Sequence, residues 1–384
     1  MSSTRTSIPG SRVGRRQPGD AAVTSPVRVR YLHGRPGPHP IHRRFAEAVG
    51  GEFEFIDFRM RWQDRNRSRL YTIASWFLCA ATLPRRREHD VFLVDNLHIA
   101  PVLMKRLFLR KDQKIVVDLA SHTMYFLVSH RFSRLVERLH LWALRNYDAL
   151  ICEGRMTVDM TRGLLGDRCP PIYETFAGAP TGRLEALSNT EPDLNARRIV
   201  FVGSGPGEFR LHYKGLDLMI EAVSIASGSD PEIEFDVLGE WDAEIVEALT
   251  ARIPPAARGR IRFRGQVDGI ADWFRRASLY LHCARGDAFP TATIEAMTAG
   301  LVPLVSDWTG TRQIVSEVCD HLIAPLDAAK IAERISWYFT LDADTRRRLS
   351  SQSRIAAAPY TEEAATAQYQ ATFATMCEDL GLVG

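Results

Sequence analysis

The stretch at residues 286–310, GDAFPTATIEAMTAGLVPLVSDWTG, constrains the fold of this 384-residue chain more than any other. A turn-like segment opens it, and a short helical run is predicted over 292–298. Gly300 closes that helix, because glycine tolerates the left-handed backbone of a helix C-cap. Residues 302–305 are then predicted to form a short buried strand, since they are apolar and bounded by turn residues.

The start of this helix is a candidate binding site. Free backbone N–H groups and the positive end of the helix dipole suit a phosphate or a sugar hydroxyl. Asp287 lies just before the helix, and Glu295 lies on it among apolar neighbours. A buried acid needs hydrogen-bond donors, and a ribose diol would supply two. The structural alternative makes Glu295 an ordinary helix acid and Asp287 a turn residue.

This stretch resembles the acid-x7-acid signature of retaining glycosyltransferases of family 4, usually E-G-F-G/P-x4-E-A-M-A-x-G-x-P-V-V. The first acid is Asp287 rather than Glu, which shortens its reach by one methylene. The resemblance implies an α/β chain of GT-B fold. Such a chain has two Rossmann-like domains with parallel sheets facing across a cleft, and a C-terminal helix that crosses back to the first domain. The matching residues are Phe289, Pro290, Glu295, Ala296, Met297, Gly300 and Pro303.

A second motif resembles the same family. The run 199–203 and the helix opened by Lys214-Gly215 match F-V-G-R-x-n-K-G-x-D-x-L-I-E-A. In the family the Arg and Lys clamp the donor diphosphate. Lys214 matches the Lys, Ser204 stands at the Arg position, and Arg210 in the longer loop 204–213 is predicted to replace the missing charge.

The resemblance also implies that backbone at the end of the strand over 261–267 contacts the nucleobase. Donor binding is therefore expected at Gly203, Ser204, Arg210, Lys214, Gly265, Gln266, Phe289, Pro290, Thr291 and Glu295.

Polar residues follow two predicted strands of the N-terminal half, over 91–94 and 115–119. Ligands of open α/β sheets bind at such strand ends. In the family a histidine after the second strand lies beside the anomeric carbon, which makes His122 the candidate, with His98 behind it. A surface or capping histidine is the alternative. The expected catalytic set is Asp287, His122 and Lys214.

The loop after the first predicted strand, 27–32, contains Gly34, Arg35 and Gly37. It is not a G-x-G-x-x-G loop, and its prolines lack backbone donors, which argues against a dinucleotide site. The resemblance places this loop over the interdomain cleft near the acceptor and the donor phosphate. His98 joins these three residues as a predicted acceptor-side group.

Strands alternating with helices about every 25–30 residues predict parallel sheets. The tail 1–25, rich in Ser, Arg, Gly and Pro, is predicted to be disordered. The acceptor-binding domain is assigned to 26–190, the nucleotide-sugar domain to 191–360 and the crossing helix to 361–384. Residues 182–196 are interpreted as linker.

Charge divides the chain. Residues 1–190 hold 30 Lys and Arg against 18 Asp and Glu, a net +12, and the remainder holds 19 against 28, a net −9. The basic half therefore suits a polyanion. The uncharged run 70–83, flanked by arginines, is predicted to be a buried helix or an in-plane membrane anchor. The segment 131–145 is a basic amphipathic helix.

Several site classes are disfavoured. Six cysteines without CxxC spacing fit a reducing compartment rather than disulfides or zinc. No signal peptide and no spanning segment are predicted. The Asp-Ala-Asp at 342–344 is interpreted as a solvated helix face, and no metal or other cofactor is expected. Nucleic acid is not an expected partner, because the basic half lacks interleaved aromatic residues on a strand platform.

The sequence thus predicts a retaining, metal-independent hexosyltransferase. Its donor would be a UDP- or GDP-linked sugar, and its acceptor a lipid-linked or polysaccharide-precursor glycan. The expected location is the cytoplasm, peripherally on an anionic inner membrane face. Two alternatives stay open, a GT-B sugar-nucleotide epimerase or phosphorylase and a non-catalytic scaffold that binds nucleotide or RNA.

Overall fold

The computed structural model of the chain describes residues 27–34, 37–55, 89–205 and 207–383. The predicted uncharged run 70–83, its flanking arginines and the tail 1–25 lie outside these residues, as does Arg35. The described part forms two six-stranded sheets, and both are parallel throughout.

The first sheet has the strand order β2-β1-β3-β4-β5-β6. Its central strands are almost wholly buried, because helices cover both faces of a parallel sheet and leave no face for polar residues. The strands are β1 Val29–His33, β2 Glu52–Phe55, β3 Val91–Asp95, β4 Lys114–Leu119, β5 Ala149–Glu153 and β6 Ile172–Thr175.

The second sheet has the strand order β12-β11-β10-β7-β8-β9. Its core is built from large buried rings such as Phe201 and Phe235. The strands are β7 Arg198–Val202, β8 Glu234–Leu238, β9 Ile261–Gly265, β10 Leu279–His282, β11 Val302–Ser306 and β12 Ile323–Ala324.

Helices connect these strands. In the first domain they are α1 Pro40–Ala48, α2 Ala100–Phe108, α3 Ser121–Val128, α4 Arg134–Leu144 and α5 Gly154–Leu165. Then come α6 Thr181–Ser188, α7 Gly207–Lys214, α8 Leu216–Ser229, α9 Ala243–Arg252, α10 Ile270–Arg275, α11 Thr291–Thr298 and α12 Arg312–Ser316. The chain ends with α13 Ala328–Thr340, α14 Ala343–Ala357 and α15 Glu362–Asp379. None of the described helices is long and apolar enough to cross a membrane.

The last helix, α15, returns to the first domain, as predicted. Tyr369 stacks on Phe45 of α1 with ring centroids 4.4 Å apart and an interplanar angle of 7°. Phe373 and Met376 are buried in the same cluster. The crossing itself is fixed by main-chain bonds, from the Ala179 N–H to the Tyr360 carbonyl at 2.9 Å and from the Glu362 N–H to the Ala179 carbonyl at 2.9 Å.

Two predicted loops are helical instead. The linker assigned to 182–196 begins with α6, because Leu184 and Leu187 lie one turn apart and are both buried. The loop assigned to 204–213 contains α7, whose Tyr213 is buried. Both predictions were wrong because each segment is short and polar, and its few apolar residues gain burial only from neighbouring elements.

The stacking of α15 on the first domain is a source of stability that can be measured. Tyr369→Ala removes a fully buried ring and is expected to lower the free energy of unfolding by about 3–5 kcal/mol. Tyr369→Phe keeps the ring and removes only the hydroxyl that lies 3.4 Å from Asp118 Oδ2. Its cost is expected to be about 1 kcal/mol.

Urea unfolding compares these variants with Glu378→Ala, a change at an exposed position of the same helix. The control is expected to shift the free energy of unfolding by less than about 0.5 kcal/mol. Equal losses in Tyr369→Ala and Tyr369→Phe would contradict the stacking explanation.

Candidate functional site

A cleft of about 1620 Å³ lies between the two sheets. It meets each sheet where the strand order reverses, between β1 and β3 in the first and between β7 and β10 in the second. Such reversal points are where open α/β sheets bind ligands. The wall includes Gly34, His42, Asp95, His98, His122, Phe126, Arg131 and Glu153 from the first domain, and α7, Asp242, Arg252 and residues 287–291 from the second.

The charged centre of the second domain's wall is a cluster around Asp287. Lys214 Nζ donates to Asp287 Oδ2 at 2.5 Å, and the His282 Nε2 atom lies 3.2 Å from the same oxygen. The Tyr280 hydroxyl lies 3.1 Å from His282 Nδ1, so it can donate to that nitrogen while Nε2 donates to the carboxylate. The cluster thus joins α7, β10 and the loop that precedes α11.

Burial and ion pairing act in opposite directions on this cluster. Burial alone would raise the Asp287 pKa, but the Lys214 charge and the His282 hydrogen bond hold that pKa well below its usual range. Burial lowers the pKa of His282, and the Asp287 hydrogen bond offsets this only in part. At neutral pH the cluster therefore contains an ionised carboxylate, a lysine cation and a neutral imidazole.

Two glycines let the backbone close around this cluster. Gly215 follows Lys214 with φ of 70°, and a Cβ there would lie 1.9 Å from the Cys283 carbonyl oxygen. The Gly310 N–H donates to the Asp287 carbonyl at 2.7 Å, and a Cβ on Gly310 would lie 1.5 Å from the Ala288 oxygen. The glycines of the two sequence motifs therefore lie where backbone segments pack closely around Asp287.

The start of α11 also faces the cleft. Phe289, Pro290 and Thr291 all line it. Glu295 lies one helical turn further on, and Arg183 Nε of α6 lies 2.9 Å from Glu295 Oε2. Burial raises the pKa of Glu295 to about 7, although the Arg183 charge lowers it. Sequence reasoning missed Arg183, because its segment was interpreted as linker.

His122 lies on the opposite wall, held among aromatic rings. Its ring stacks on Phe209 of α7 at 4.6 Å and on Tyr213 at 5.0 Å. Phe209 also stacks on Phe126 of α3 at 4.7 Å. The aromatic contacts therefore connect the predicted histidine to the second domain through α7.

The other predicted residues fall into two groups. Gly34, His98 and Arg210 line the cleft together with Asp287, His122 and Lys214. Gly203 and Gly265 meet at Gly239, since the Gly239 N–H donates to the Gly265 carbonyl at 2.8 Å and a Gly239 Cβ would lie 2.2 Å from the Gly203 oxygen. Six of the predicted residues are not among the described residues that line the cleft: Gly37, Gly203, Ser204, Gly265, Gln266 and Glu295.

Sequence reasoning also missed a buried cluster in the first domain. The His42 Nδ1–H group donates to Asp95 Oδ1 at 2.6 Å. Asp118 lies one residue before the end of β4 and Glu153 ends the neighbouring strand β5, and burial raises their pKa values to about 6 and about 7. The available signal was an acid within the last two residues of each of three strands, β3, β4 and β5. The described residues contain no group of three or more His, Cys, Asp or Glu side chains arranged to hold a metal ion.

The residues at 342–344 have a structural role. Asp342 is the N-cap of α14 and accepts a hydrogen bond from the Thr345 N–H at 2.7 Å. Asp344 is exposed. The sequence predicts a solvated helix face here, and the structure adds that the first acid, Asp342, caps the helix.

The His42–Asp95 pair predicts a pH-dependent contribution to stability. Burial lowers the pKa of His42, but the Asp95 hydrogen bond and the Asp118 charge outweigh burial and raise it to about 9. Because the folded pKa exceeds the unfolded value of about 6.5, the contribution is complete below pH 6.5 and is lost as the pH rises towards 9. The stability difference between wild type and His42→Gln is therefore expected to shrink by about 1.4 kcal/mol per pH unit in this window.

Urea unfolding at pH 6.5, 7.5 and 9 measures this difference. His130→Gln is the control, because His130 is exposed and pairs with Glu137 on the surface. If the difference in the free energy of unfolding between wild type and His42→Gln does not vary with pH, His42 is not protonated in the folded protein.

Comparisons with known proteins agree with this architecture. Residues 196–340 match the family described as glycosyl transferases group 1. A phosphatidyl-myo-inositol mannosyltransferase of Mycobacterium tuberculosis is 29% identical over 120 residues, which cover 30% of this chain and 30% of that protein. A lipopolysaccharide core mannosyltransferase of Rhizobium leguminosarum is 30% identical over 132 residues, or 33% and 38% of the two chains. The aligned segments thus span about a third of these relatives.

Solved structures cover nearly the whole chain. HepE of Anabaena in complex with UDP has a TM-score of 0.64 at 13% identity, covering 91% of this chain and 100% of that chain. Sucrose-phosphate synthase of Thermosynechococcus elongatus has a TM-score of 0.64 at 16% identity, covering 92% and 100%. Residues 196–340 are therefore similar to the group 1 glycosyltransferases, and the two facing parallel sheets of the chain have the GT-B fold.

Proposed function

We propose that the protein is a retaining, metal-independent glycosyltransferase that moves a hexose from a UDP- or GDP-linked sugar to a lipid-linked or polysaccharide-precursor acceptor. The observation that carries this proposal is the Lys214–Asp287 pair in the wall of the interdomain cleft. A lysine there can meet a diphosphate on one side while the cleft holds an acceptor on the other.

The chemistry of the donor supports the role of Lys214. Negative charge builds on the diphosphate as the glycosidic bond breaks, so a fixed cation stabilises the transition state more than the ground state. Arg210 lies four residues before Lys214 on α7, which places both on one helix face, and both line the cleft. Two cations supplied by the chain are the basis for proposing transfer without a metal.

The start of α11 adds a second source of positive potential. Thr291 begins this helix at the cleft, and the first N–H groups of a helix suit phosphate oxygens. Asp287 precedes the helix and is ionised, so it can accept hydrogen bonds from the hydroxyls of the donor sugar. Retention of configuration is proposed from the resemblance to the acid-x7-acid enzymes.

Relatives support the acceptor class. The names of the aligned mannosyltransferases include a phosphatidyl-myo-inositol lipid and a lipopolysaccharide core. HepE was solved in complex with UDP. A mannose-type hexose and a lipid-linked acceptor are therefore the first candidates to test, with both nucleotides represented among the donors.

The surface of the first domain supports peripheral membrane binding. Helix α4 exposes Arg134 and Arg138, with Leu135 between them 68% exposed. Arg131 lies just before this helix and lines the cleft. A basic helix with an exposed apolar side chain suits an anionic lipid surface, and Arg131 would lie between that surface and the site. The proposed location is therefore the cytoplasmic face of the cell membrane.

Incubation with UDP- and GDP-hexoses and a lipid extract tests the activity. Free nucleoside diphosphate and a glycosylated product are expected with at least one donor. Lys214→Ala is expected to lower turnover by at least about 100-fold, the usual loss when a group that stabilises developing charge is removed. Lys330→Ala is the matched control, because Lys330 is an exposed lysine of α13 that pairs with Glu333.

A double variant separates catalysis from folding. Lys214→Ala alone leaves Asp287 buried without its lysine, whereas Lys214→Ala with Asp287→Asn removes both charges. The double variant is expected to regain thermal stability but not turnover. Formation of an epimer without nucleoside diphosphate would instead favour the epimerase alternative. Salt-sensitive RNA binding without any transfer would favour the non-catalytic scaffold.

Flotation with vesicles rich in phosphatidylglycerol tests the membrane proposal. Arg134→Ser with Arg138→Ser removes two cations, each of which contributes about 1 kcal/mol near an anionic surface. Vesicle binding at low salt is therefore expected to weaken by about 30-fold.

The matched control is Arg347→Ser with Arg348→Ser, which changes two exposed arginines of α14 in the other domain. Wild-type protein that ignores these vesicles, or equal losses in the two double variants, would contradict a membrane role for α4.

A further inference from the structure

Besides the Lys214–Asp287 pair, an ion pair connects α6, which lies between the two sheets in the chain, to α11, which is predicted to bind the donor. Arg183 Nε of α6 lies 2.9 Å from Glu295 Oε2 of α11. The Glu295 side chain is 6% exposed, and the Arg183 side chain is 47% exposed. The pair is thus asymmetric, with a buried acid held by an arginine that reaches it from the surface.

The pair lies one helical turn along α11 from the residues that line the cleft. Thr291 lines the cleft, and Glu295 follows it by four residues, so both project from the same face of α11. Leu187 of α6 packs in one cluster with Ala296 of α11, and Val267 and Ala292 pack against that cluster. Helix α6 and the chain segment after β9, where the nucleobase is expected, thus contribute to the same apolar cluster.

The charge on Glu295 depends on its surroundings. Helix α11 packs against α6, α14, β10 and β11. From β10, the buried Tyr280 senses the Glu295 charge. From α14, Arg354 donates to the carbonyls of Thr298 and Ala299 at the far end of the helix.

The two other elements that pack against α11 are β11 and α6. The β11 segment Val302–Ser306 has no titratable side chain. On α6 itself, Glu185 is exposed. Arg183 is thus the cation that contacts Glu295 among the described residues, and its charge opposes the burial that raises the Glu295 pKa to about 7.

We propose that Arg183 is a positioning residue for nucleotide recognition, which orients Glu295 as an acceptor for the ribose hydroxyls of the donor. This inference rests on the proposed function and deepens it. Arg183 contacts one carboxylate oxygen, which leaves the other to receive a hydroxyl. The consequence is a preference for ribonucleotides over 2′-deoxyribonucleotides that depends on a residue outside the recognised motifs.

Calorimetric titration of the full-length chain with UDP, GDP and their 2′-deoxy analogues tests this inference. Wild type is expected to bind the ribonucleotide about tenfold more tightly, because a hydrogen bond to an ionised group is lost with the 2′-hydroxyl. Arg183→Gln is expected to lower this ratio, most strongly at low pH. Glu295→Gln is expected to bring the ratio close to one, and Arg183→Lys is expected to keep part of the wild-type ratio.

The pH dependence separates positioning from a general structural role. Removing the Arg183 charge raises the Glu295 pKa further, so the carboxyl is protonated over a wider range at low pH. The ribose preference of Arg183→Gln is therefore expected to be lower at pH 6 than at pH 8.5. In Glu295→Gln it is expected not to vary with pH.

Arg168→Gln is the control, since Arg168 is an exposed arginine after α5. If wild type binds none of the nucleotides, the proposed function itself fails. If wild type binds them without a ribose preference, or if Arg183→Gln keeps the preference at both pH values, the inference is overturned while the proposed function stands. Melting temperatures confirm that each variant is folded, and Arg183→Lys keeps a cation at this position.

Discussion

The site depends on the burial of one carboxylate, that of Asp287. Its side chain takes hydrogen bonds from Lys214 and His282, and its carbonyl takes one from the Gly310 N–H. These partners come from the segment after β7, the end of β10 and the segment after β11, at one edge of the second sheet. A buried charge is costly unless it is paired and hydrogen-bonded, so this acid fixes the relative positions of all three segments. Glycine at positions 215 and 310 allows the backbone of these segments to pack closely enough to pair with Asp287.

The electrostatics of the two walls explain an apparent conflict in the first domain. Residues 1–190 carry a net +12, yet three acids lie within the last two residues of neighbouring strands at the cleft side of this domain. The cations include Arg134 and Arg138, which are exposed on α4, whereas the acids converge on His42 inside. The Asp287 charge raises the pKa of Glu153 and the Lys214 charge lowers it, so the two walls are close enough to interact electrostatically. A basic exterior suits an anionic partner, and an acidic interior suits the hydroxyls of a sugar.

Sequence motifs predicted the second-domain residues that the structure brings together at Asp287, because these residues lie within short motifs. Lys214-Gly215 and the stretch 286–310 each lie within a single turn-and-helix unit, so local spacing reports their geometry. The buried cluster of the first domain was harder to predict. His42 and Asp95 are 53 residues apart, and only the parallel order β1-β3-β4-β5 brings their elements together. Arg183 was missed for a similar reason, since nothing near it in the sequence indicates a partner on α11.

Local sequence patterns predicted alternating strands and helices in parallel sheets, and the resemblance to family 4 implied the GT-B fold, the return of the last helix and a shared site for Lys214 and Asp287. Periodic burial and turn chemistry act over a few residues, and a single chain displays them directly. The tertiary structure decided that residues 181–188 and 207–214 are helices, that His122 stacks on Phe209 from the other domain, and that Glu295 pairs with Arg183. The physical reason is that each of these outcomes depends on burial supplied by an element distant in the chain. Such burial is absent from local propensity and exists only once both sheets are assembled.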